Sequence, residues 1–236
     1  SNTRNVTLND IDSDGDIDIL VTNRRNTNEI CLNNGSGIFE KVIHFGNDED
    51  STIDVEVADV DNDGDKDLIL ANRDGQQNYV YLNDEMTFDE RIPYGSGKDE
   101  TRSVAVADLN GDGIKDLILA NIGEPNIICF GKRNDDHVLH YSHYKVFDES
   151  DSPSFSIDAG DIDGDGDVDI IVGNSGEKNS YFLNMNDGEQ FENYELGNTS
   201  FDTYDIKLAD INSDGKLDII EANSMALNLY YINVIK

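Results

Sequence analysis

The stretch DVDNDGDKD at residues 59–67 decides the fold, because the chain carries four more versions of it. The other copies are DIDSDGDID at 10–18, DLNGDGIKD at 108–116, DIDGDGDVD at 161–169 and DINSDGKLD at 210–218. Their first residues are 49, 49, 53 and 49 positions apart, a period typical of a propeller blade or a solenoid unit. A repeat that runs through all 236 residues predicts a single continuous domain over residues 1–236.

Each acidic loop lies between two predicted strands. Strand A precedes the loop, and its residues alternate between polar and apolar, as in DVEVA at 54–58. Strand B follows the loop as an apolar run such as KDLILAN at 66–72. Strand C, such as YVYLN at 79–83, and an outer strand D, such as FDERIPY at 88–94, come next. Four short antiparallel strands per repeat, without helical periodicity, predict an all-β propeller rather than a helical solenoid.

The strand count also raises the question of ring closure. Strand D has no counterpart in the fifth repeat, and too few residues precede the first strand A to supply one. We therefore expect either a three-stranded fifth blade or a parent chain that continues past Lys236. The prediction is a propeller of five blades of roughly 49 residues, with five blades of a seven-bladed propeller as the alternative. The predicted blades cover residues 1–50, 51–99, 100–152, 153–201 and 202–236.

The loop pattern predicts a calcium site. Side-chain oxygens at loop positions 1, 3 and 5 face one point, Gly at position 6 permits the sharp turn, and position 7 can add its backbone carbonyl. An EF-hand would need a bidentate Glu at position 12, where only Glu221 is acidic. Position 9 is Asp in all five loops, so we expect this residue to close the site.

One cation per loop gives up to five Ca²⁺ ions. We number the loops 1 to 5 in chain order. Loop 3 (108–116) and loop 5 (210–218) carry Asn at position 3 and should bind calcium more weakly. The alternative, Asp/Gly-rich turns without an ion, leaves several carboxylates repelling one another. The predicted ligands are Asp10, Asp12, Asp14, Asp16 and Asp18; Asp59, Asp61, Asp63, Asp65 and Asp67; Asp108, Asn110, Asp112, Ile114 and Asp116; Asp161, Asp163, Asp165, Asp167 and Asp169; and Asp210, Asn212, Asp214, Lys216 and Asp218.

Composition excludes some partners and favours a location. The net charge is −33, and cations in all five loops would leave the chain strongly acidic, so nucleic acid should be repelled. No run of 18 apolar residues is present, so we expect no membrane insertion. Because calcium is plentiful outside cells, the loops favour a secreted or cell-surface protein. The chain begins without Met, so we expect a mature product or an excised part of a larger secreted protein.

The cysteines and histidines have ordinary interpretations. Cys31 and Cys129 occupy equivalent positions in repeats 1 and 3, too far apart in a propeller for a disulfide, so we expect both to be thiols packed between sheets. Repeat 3 contains a four-residue insertion, and with it the stretch HVLHYSHY at 137–144, which brings His137, His140 and His143 together. Strand alternation places His137 and His140 on opposite faces, which favours an extended C–D hairpin over a zinc or copper site.

The repeat resembles the FG-GAP/VCBS repeat of integrin α-subunit propellers and their bacterial relatives. The resemblance rests on the acidic loops, on the strand that follows each, and on the pairs Phe45-Gly46, Tyr94-Gly95 and Leu196-Gly197; Phe147-Asp148 departs from it. It implies a calcium-stabilised module whose ligands meet the face opposite the acidic loops. That face would carry Arg24, Arg25, Arg73, Asp74, Glu124, Glu177 and Lys178 in the B–C turns, and the D–A connections 46–53, 95–102, 148–155 and 197–204.

No catalytic motif accompanies the repeat. The sequence lacks G-x-S-x-G and H-E-x-x-H, so we expect a non-catalytic adhesion or recognition module that binds a protein or glycan. The competing hypothesis is a carbohydrate-active protein, either a lectin or a polysaccharide lyase, since some of each resemble this repeat. The chain has no Trp, so any aromatic sugar platform would be built from Tyr. The ligand-binding residues themselves stay unassigned.

Overall fold

The computed structural model describes residues 2–234, and these residues form nineteen β-strands and no helix. The predicted blade ends at Ser1 and at Ile235–Lys236 lie outside the described residues. Residues 2–234 therefore include no helix that could span a membrane. The predicted all-β class is confirmed.

The strands follow the repeat in order. The first repeat forms β1 (Thr3–Asn9), β2 (Asp18–Asn23), β3 (Asn28–Leu32) and β4 (Lys41–Phe45). The second forms β5 (Thr52–Ala58), β6 (Asp67–Asn72), β7 (Asn78–Tyr81) and β8 (Arg91–Tyr94), and the third forms β9 (Thr101–Ala107), β10 (Asp116–Asn121), β11 (Asn126–Arg133) and β12 (Leu139–Asp148). The fourth forms β13 (Ser154–Gly160), β14 (Asp169–Glu177), β15 (Ser180–Asn184) and β16 (Phe191–Glu195), and the fifth forms β17 (Phe201–Ala209), β18 (Asp218–Ser224) and β19 (Leu229–Tyr231).

Each of the first three repeats forms one four-stranded sheet with the strands in sequence order. The fourth and fifth repeats share a sheet, because β14 runs on to Glu177 and pairs with the start of β17. Strand A has a register shift near its beginning in repeats 1, 2, 4 and 5, for example between Thr52 and Asp54. The predicted four-stranded antiparallel unit is confirmed, and the fifth repeat has three strands among residues 2–234.

The chain divides into two compact units. Unit 1 comprises residues up to Thr101 together with Gly131–His143, and unit 2 comprises Arg102–Phe130 and the chain from Tyr144 onward. The single domain over residues 1–236, the number of blades and ring closure stay predictions.

Strand B forms the centre of each core. All six residues of β6 are buried, as are all six of β10, so the continuous apolar runs lie between covered faces. A core cluster in unit 1 includes Leu20, Ile30, Val55, Leu68 and Tyr81. In unit 2, buried side chains cluster around Ile118, Ile170 and Phe182, and also around Ile171, Ile206 and Ile219.

Candidate metal centres and turn networks

The acidic loops join strand A to strand B, and one hydrogen bond shapes all five. The Gly N–H at position 6 donates to Oδ2 of the position 1 Asp, at 3.1, 3.1, 2.9, 3.1 and 2.8 Å in loops 1 to 5. Position 6 has a φ between 84° and 104°, which explains its glycine. Position 4 also has a left-handed backbone, a feature that its varied residue types do not reveal in the sequence: Ser13, Asn62, Gly111, Gly164 and Ser213.

The position 9 Asp is buried in every loop and accepts hydrogen bonds across the hairpin. Its Oδ2 accepts the N–H of position 2, as from Val60 to Asp67 at 2.8 Å; the other four distances are between 2.7 and 3.1 Å. In loops 1, 2, 4 and 5, its Oδ1 also accepts the backbone N–H of an Asn at the end of strand C. Asn33, Asn83, Asn184 and Asn233 make this bond at 2.7 to 2.9 Å. The role of this Asn could have been inferred from its recurrence after strand C.

Three loops bring carboxylates from positions 1, 3 and 9 together. One oxygen from each residue lies within 4.8 Å of the others in the groups Asp10–Asp12–Asp18, Asp59–Asp61–Asp67 and Asp161–Asp163–Asp169. The position 5 Asp is exposed, and its Oδ1 accepts the N–H of position 7 at 2.8 to 3.0 Å in all five loops. The structure thus groups three of the predicted side-chain positions and gives position 5 a turn-forming hydrogen bond.

The carboxylates in these clusters are partly buried and repel one another, so a bound cation would stabilise them. Oδ1 of Asp10 and Oδ1 of Asp12 are buried without a hydrogen-bond partner. Burial is the main cause that raises the pKa of Asp12 above its usual value, and the neighbouring carboxylates raise it further. Burial raises the pKa of Asp67 and of Asp169 to about 6, against the lowering effect of their backbone hydrogen bonds. Hard oxygen donors that converge with unsatisfied lone pairs fit Ca²⁺.

Loops 3 and 5 keep the backbone of the other loops with less charge. The Asn side chains at position 3 accept the N–H of position 5, from Asp112 to Asn110 at 3.0 Å and from Asp214 to Asn212 at 2.8 Å. Asn212 also donates its amide to Asp214 Oδ2 at 3.1 Å. The Gly215 N–H is the main cause that lowers the pKa of Asp210. The amide thus replaces one carboxylate in each loop.

A pair of asparagines closes every B–C turn. The N–H at the end of strand B donates to the side-chain oxygen of a second Asn, as from Asn174 to Asn179 at 2.8 Å, and the other four distances are 2.7 to 2.9 Å. In the first four repeats the second Asn also donates to a Ser or Thr in strand A of the next repeat, at 2.9 to 3.1 Å. The first Asn is evident in the sequence because it ends the same apolar run in every repeat. The second Asn is less evident, because the number of turn residues between the two varies.

Ion pairs engage much of the surface predicted to bind ligands. Arg24 and Arg25 both contact Asp74, Arg73 contacts Glu100 at 3.4 Å, and Lys178 contacts Glu195 at 2.5 Å. Glu177 is exposed, and Glu124 is half-buried. Arg24, Arg73 and Lys178 thus link their B–C turns to neighbouring turns and strands.

The cysteines and the histidines of repeat 3 lie outside the acidic loops. Cys31 and Cys129 are both thiols, and Cys129 is fully buried. His137 lies in the turn between β11 and β12, whereas His140 and His143 lie in β12, so the predicted extended C–D hairpin is present. His140 Nδ1 is 2.9 Å from Ser142 Oγ. No metal-type cluster within residues 2–234 includes them. Within unit 1, Arg133 from this hairpin donates to the Asp61 carbonyl in loop 2.

The fold and the loops define an all-β, propeller-like repeat protein with acidic loops between the first two strands of each repeat. The FG-GAP-like repeat family matches residues 10–70, 59–119 and 161–221, more than half of the chain. The chain belongs to this family, which confirms the resemblance drawn from the loops.

The comparison with solved structures supports the fold. Two crystal structures of BBS1N in complex with ARL6DN, soaked with mercury and with lead, each match with a TM-score of 0.57 and 12% sequence identity. Each match covers 96% of this chain and 64% of the BBS1N chain, so this chain spans less than two thirds of that protein. No curated protein matches the sequence.

Proposed function

We propose that this chain is an extracellular, non-catalytic recognition module whose propeller-like repeats are stabilised by calcium. The observation that carries the proposal is the convergence of positions 1, 3 and 9 in three loops, together with the buried, unpartnered oxygens of Asp10 and Asp12. Membership of the FG-GAP-like repeat family supports it. Five blades that close a ring are the proposed architecture, with part of a seven-bladed ring as the alternative.

Calcium is proposed for all five loops, with two classes of affinity. Loops 1, 2 and 4 supply three clustered carboxylates each, whereas loops 3 and 5 replace one with Asn110 or Asn212. Fewer anionic ligands lower the affinity of an oxygen-ligand site for calcium. Bound ions would hold position 1, before the turn, to position 9 at the start of strand B, and so stabilise each A–B hairpin.

The proposed ligand surface lies at the ends of the sheets opposite the acidic loops. In each sheet strand B runs from the acidic loop to the B–C turn, so these two loops lie at opposite ends. Within unit 1, the Arg24–Asp74 and Arg73–Glu100 ion pairs tie the first two B–C turns to neighbouring segments. A protein ligand is the first choice, because loops held by a rigid scaffold are typical binding sites and because the similar BBS1N structures contain a protein partner.

A glycan is the second candidate, and one observation favours it. A polar groove in unit 2 is lined by residues that include Ser150, Ser152, Asn174, Lys178 and Glu195. Hydroxyl, amide and charged groups of this kind can hydrogen-bond a carbohydrate. A lyase would in addition need acid–base groups beside such a groove.

Calorimetric titration with CaCl₂ and thermal unfolding with and without chelator test the calcium half. A site filled at 100 times its Kd contributes about 2.7 kcal/mol, so three filled sites should raise Tm by more than about 10 °C. Asp61→Asn should remove one strong site, whereas Asp135→Asn, at an exposed position outside the acidic loops, serves as the matched control. Equal Tm values with calcium and with chelator would refute calcium stabilisation.

The ligand half needs a separate measurement. A glycan array probed with the calcium-loaded chain should give no signal if the ligand is a protein, and incubation with acidic polysaccharides should release no unsaturated product. A chelator-sensitive signal from one glycan class would replace the protein ligand by the glycan. Product formation would identify a lyase.

A further inference from the structure

Loops 3 and 4 each accept a hydrogen bond from a side chain of the repeat that follows them. The Asn184 amide of repeat 4 donates to the carbonyl of Leu109, position 2 of loop 3, at 2.9 Å. The Asn233 amide of repeat 5 donates in the same way to the carbonyl of Ile162, position 2 of loop 4, at 2.6 Å. The partners are 75 and 71 positions apart in the chain, and all four residues lie in unit 2.

The same two asparagines also hold the acidic loop of their own repeat. The Asn184 N–H donates to Oδ1 of Asp169 at 2.8 Å, and the Asn233 N–H donates to Oδ1 of Asp218 at 2.7 Å. Asp169 and Asp218 are the buried position 9 residues of loops 4 and 5. Each asparagine therefore contacts two consecutive loops, one through its backbone and one through its side chain.

These contacts complete a chain of hydrogen bonds between neighbouring loops. The Leu109 N–H donates to Oδ2 of Asp116, position 9 of loop 3, at 2.9 Å. The Leu109 carbonyl accepts the Asn184 amide, and the Asn184 N–H donates to Asp169. The position 9 residues of loops 3 and 4 are thus linked through Leu109 and Asn184. The equivalent bonds continue the chain from loop 4 to loop 5.

The carbonyl that accepts this bond lies between two predicted calcium ligands. It belongs to the planar peptide unit that joins Leu109 to Asn110, which is position 3 of loop 3. A donor that fixes this peptide unit also fixes the direction of the backbone between positions 1 and 3. The Leu109 side chain is buried in the core cluster around Ile118. Asn184 therefore helps to position loop 3 without being one of its ligands.

The equivalent asparagine of repeat 2 makes no such contact within the described part of the chain. The Asn83 amide donates to the carbonyl of Lys66, in its own loop, at 3.0 Å and lies 3.9 Å from Met86 Sδ. Loop 1 is contacted instead by the Lys66 ammonium, which donates to the Asp10 carbonyl. Repeat 2 therefore offers an internal comparison for the asparagine of repeat 4.

We propose that Asn184 and Asn233 are positioning residues that couple calcium binding in loops 3, 4 and 5, an inference that rests on the proposed calcium sites. When loop 4 binds a cation, Asp169 becomes fixed and with it Asn184, whose amide then holds the backbone of loop 3. Loop 3 therefore loses less conformational freedom when it binds in turn, which gives positive cooperativity. Coupling of this kind changes an affinity by about fivefold to 150-fold.

A calcium titration followed at the backbone N–H resonances of Gly113 and Gly166, position 6 of loops 3 and 4, reads each site separately. Asp163→Ala removes one of the three clustered carboxylates of loop 4 and should lower the affinity of loop 3 at least about fivefold. Repulsion between cations predicts the opposite sign, because an empty loop 4 would favour a cation in loop 3. In an Asn184→Ala background, Asp163→Ala should change the affinity of loop 3 by less than about twofold.

Asn83→Ala in repeat 2 is the matched control. It removes the hydrogen bond from the Met86 N–H at 2.7 Å, and Asn184→Ala removes the one from the Gly188 N–H at 2.8 Å, so both variants lose a bond within the C–D hairpin. Asn184→Ala should lower the affinity of loop 3 at least about fivefold. Asn83→Ala should change the affinity of loop 1, read at Gly15, by less than about twofold.

Hydrogen exchange in the presence of chelator reads the positioning role without a bound cation. Asn184→Ala should raise the exchange rate of the Leu109 N–H, because the backbone of this residue is then held on one side only. Asn83→Ala should leave the exchange rate of the Ile11 N–H unchanged. Equal exchange of the Leu109 N–H in Asn184→Ala and wild type would show that Asn184 does not position loop 3.

Two titration results would overturn the coupling and leave the calcium sites in place. One is an unchanged affinity of loop 3 in Asp163→Ala, and this comparison stays decisive even if Asn184→Ala does not fold. The other is an unchanged affinity of loop 3 in Asn184→Ala. The absence of a calcium-dependent shift at every position 6 glycine would instead refute the proposed calcium sites, and the coupling with them.

Discussion

Arg24 and Asp74 form an ion pair that links the first two repeats, and Arg24 Nε donates to Asp74 Oδ2 at 3.1 Å. The Ser51 hydroxyl donates to the same carboxylate at 2.6 Å. The side chains of Arg24 and Asp74 are only 29% and 21% exposed. A partly buried, multiply bonded carboxylate contributes more to stability than an isolated surface ion pair.

This carboxylate should make stability depend on acid pH. The hydrogen bond from Arg24 is the main cause that lowers the pKa of Asp74 from 3.8 to about 2. A depressed folded-state pKa stabilises the protein above pH 3.8, and this contribution is lost as the pH falls towards about 2. At pH 7, Asp74→Asn should lower the unfolding free energy by about 1–2 kcal/mol after allowance for screening.

The measurement for Asp74 is denaturant unfolding of both proteins between pH 7 and pH 2. The two unfolding free energies should converge as the pH falls from about 4 towards about 2, because the carboxylate is protonated in the unfolded state first and in the folded state only near pH 2. Asp89→Asn, an exposed position, controls for the loss of charge. A constant difference down to pH 2 would show that Asp74 acts through packing rather than charge.

The paired asparagines should matter where they are buried. Asn179 accepts the Asn174 N–H and donates to Thr203 at 2.9 Å and to Glu221 at 2.7 Å. Asn179→Ala leaves buried groups unsatisfied and should cost about 3 kcal/mol. The matched control is Asn228→Ala in the fifth repeat, which removes the same turn bond at an exposed position and should cost about 1 kcal/mol. Equal losses in chemical denaturation would contradict a role for burial.

Loop position 4 should show a purely backbone effect. Gly164 has φ +82°, and an added Cβ would meet no atom within 4 Å. Gly164→Ala should therefore cost about 1–2 kcal/mol through left-handed strain alone. Ser13→Gly relieves the same strain in loop 1, and the greater freedom of unfolded glycine opposes that gain, so its effect should stay within about 0.5 kcal/mol. A neutral Gly164→Ala in thermal unfolding would refute the strain argument.

The graded charge of the loops predicts a gain of function. Asn110→Asp gives loop 3 the three-carboxylate set of loops 1, 2 and 4, so its calcium affinity should rise about tenfold. Without calcium, the added charge should lower the unfolding free energy, because the carboxylates then repel one another. Titration calorimetry of the variant against wild type should show one more strong site. Asn198→Asp, at an exposed position outside the acidic loops, adds the same charge and is the control. An unchanged number of strong sites would contradict the ranking of the loops.

Much of the fold was predictable because it repeats. Five copies of one loop placed strands A to D in phase, and the observed strands follow that phase, as in β6 and β10. The structure also has three strands in the fifth repeat among residues 2–234, as the strand count predicts. The role of the Asn after strand C was missed although this residue recurs, and the second Asn of each B–C turn was missed because the length of the turn varies.

The sequence by itself determined the repeat, the all-β class and the oxygen-rich loops, because these depend on local spacing and on backbone geometry at Gly and Asp. Only the tertiary structure decided which carboxylates meet. Positions 1, 3 and 9 converge because strand B returns beside strand A, while the position 5 side chain bonds to its own turn. It also decided that Arg24, Arg73 and Lys178 form ion pairs with acidic side chains. Such features arise from contacts between residues distant in the chain, which local pattern does not encode.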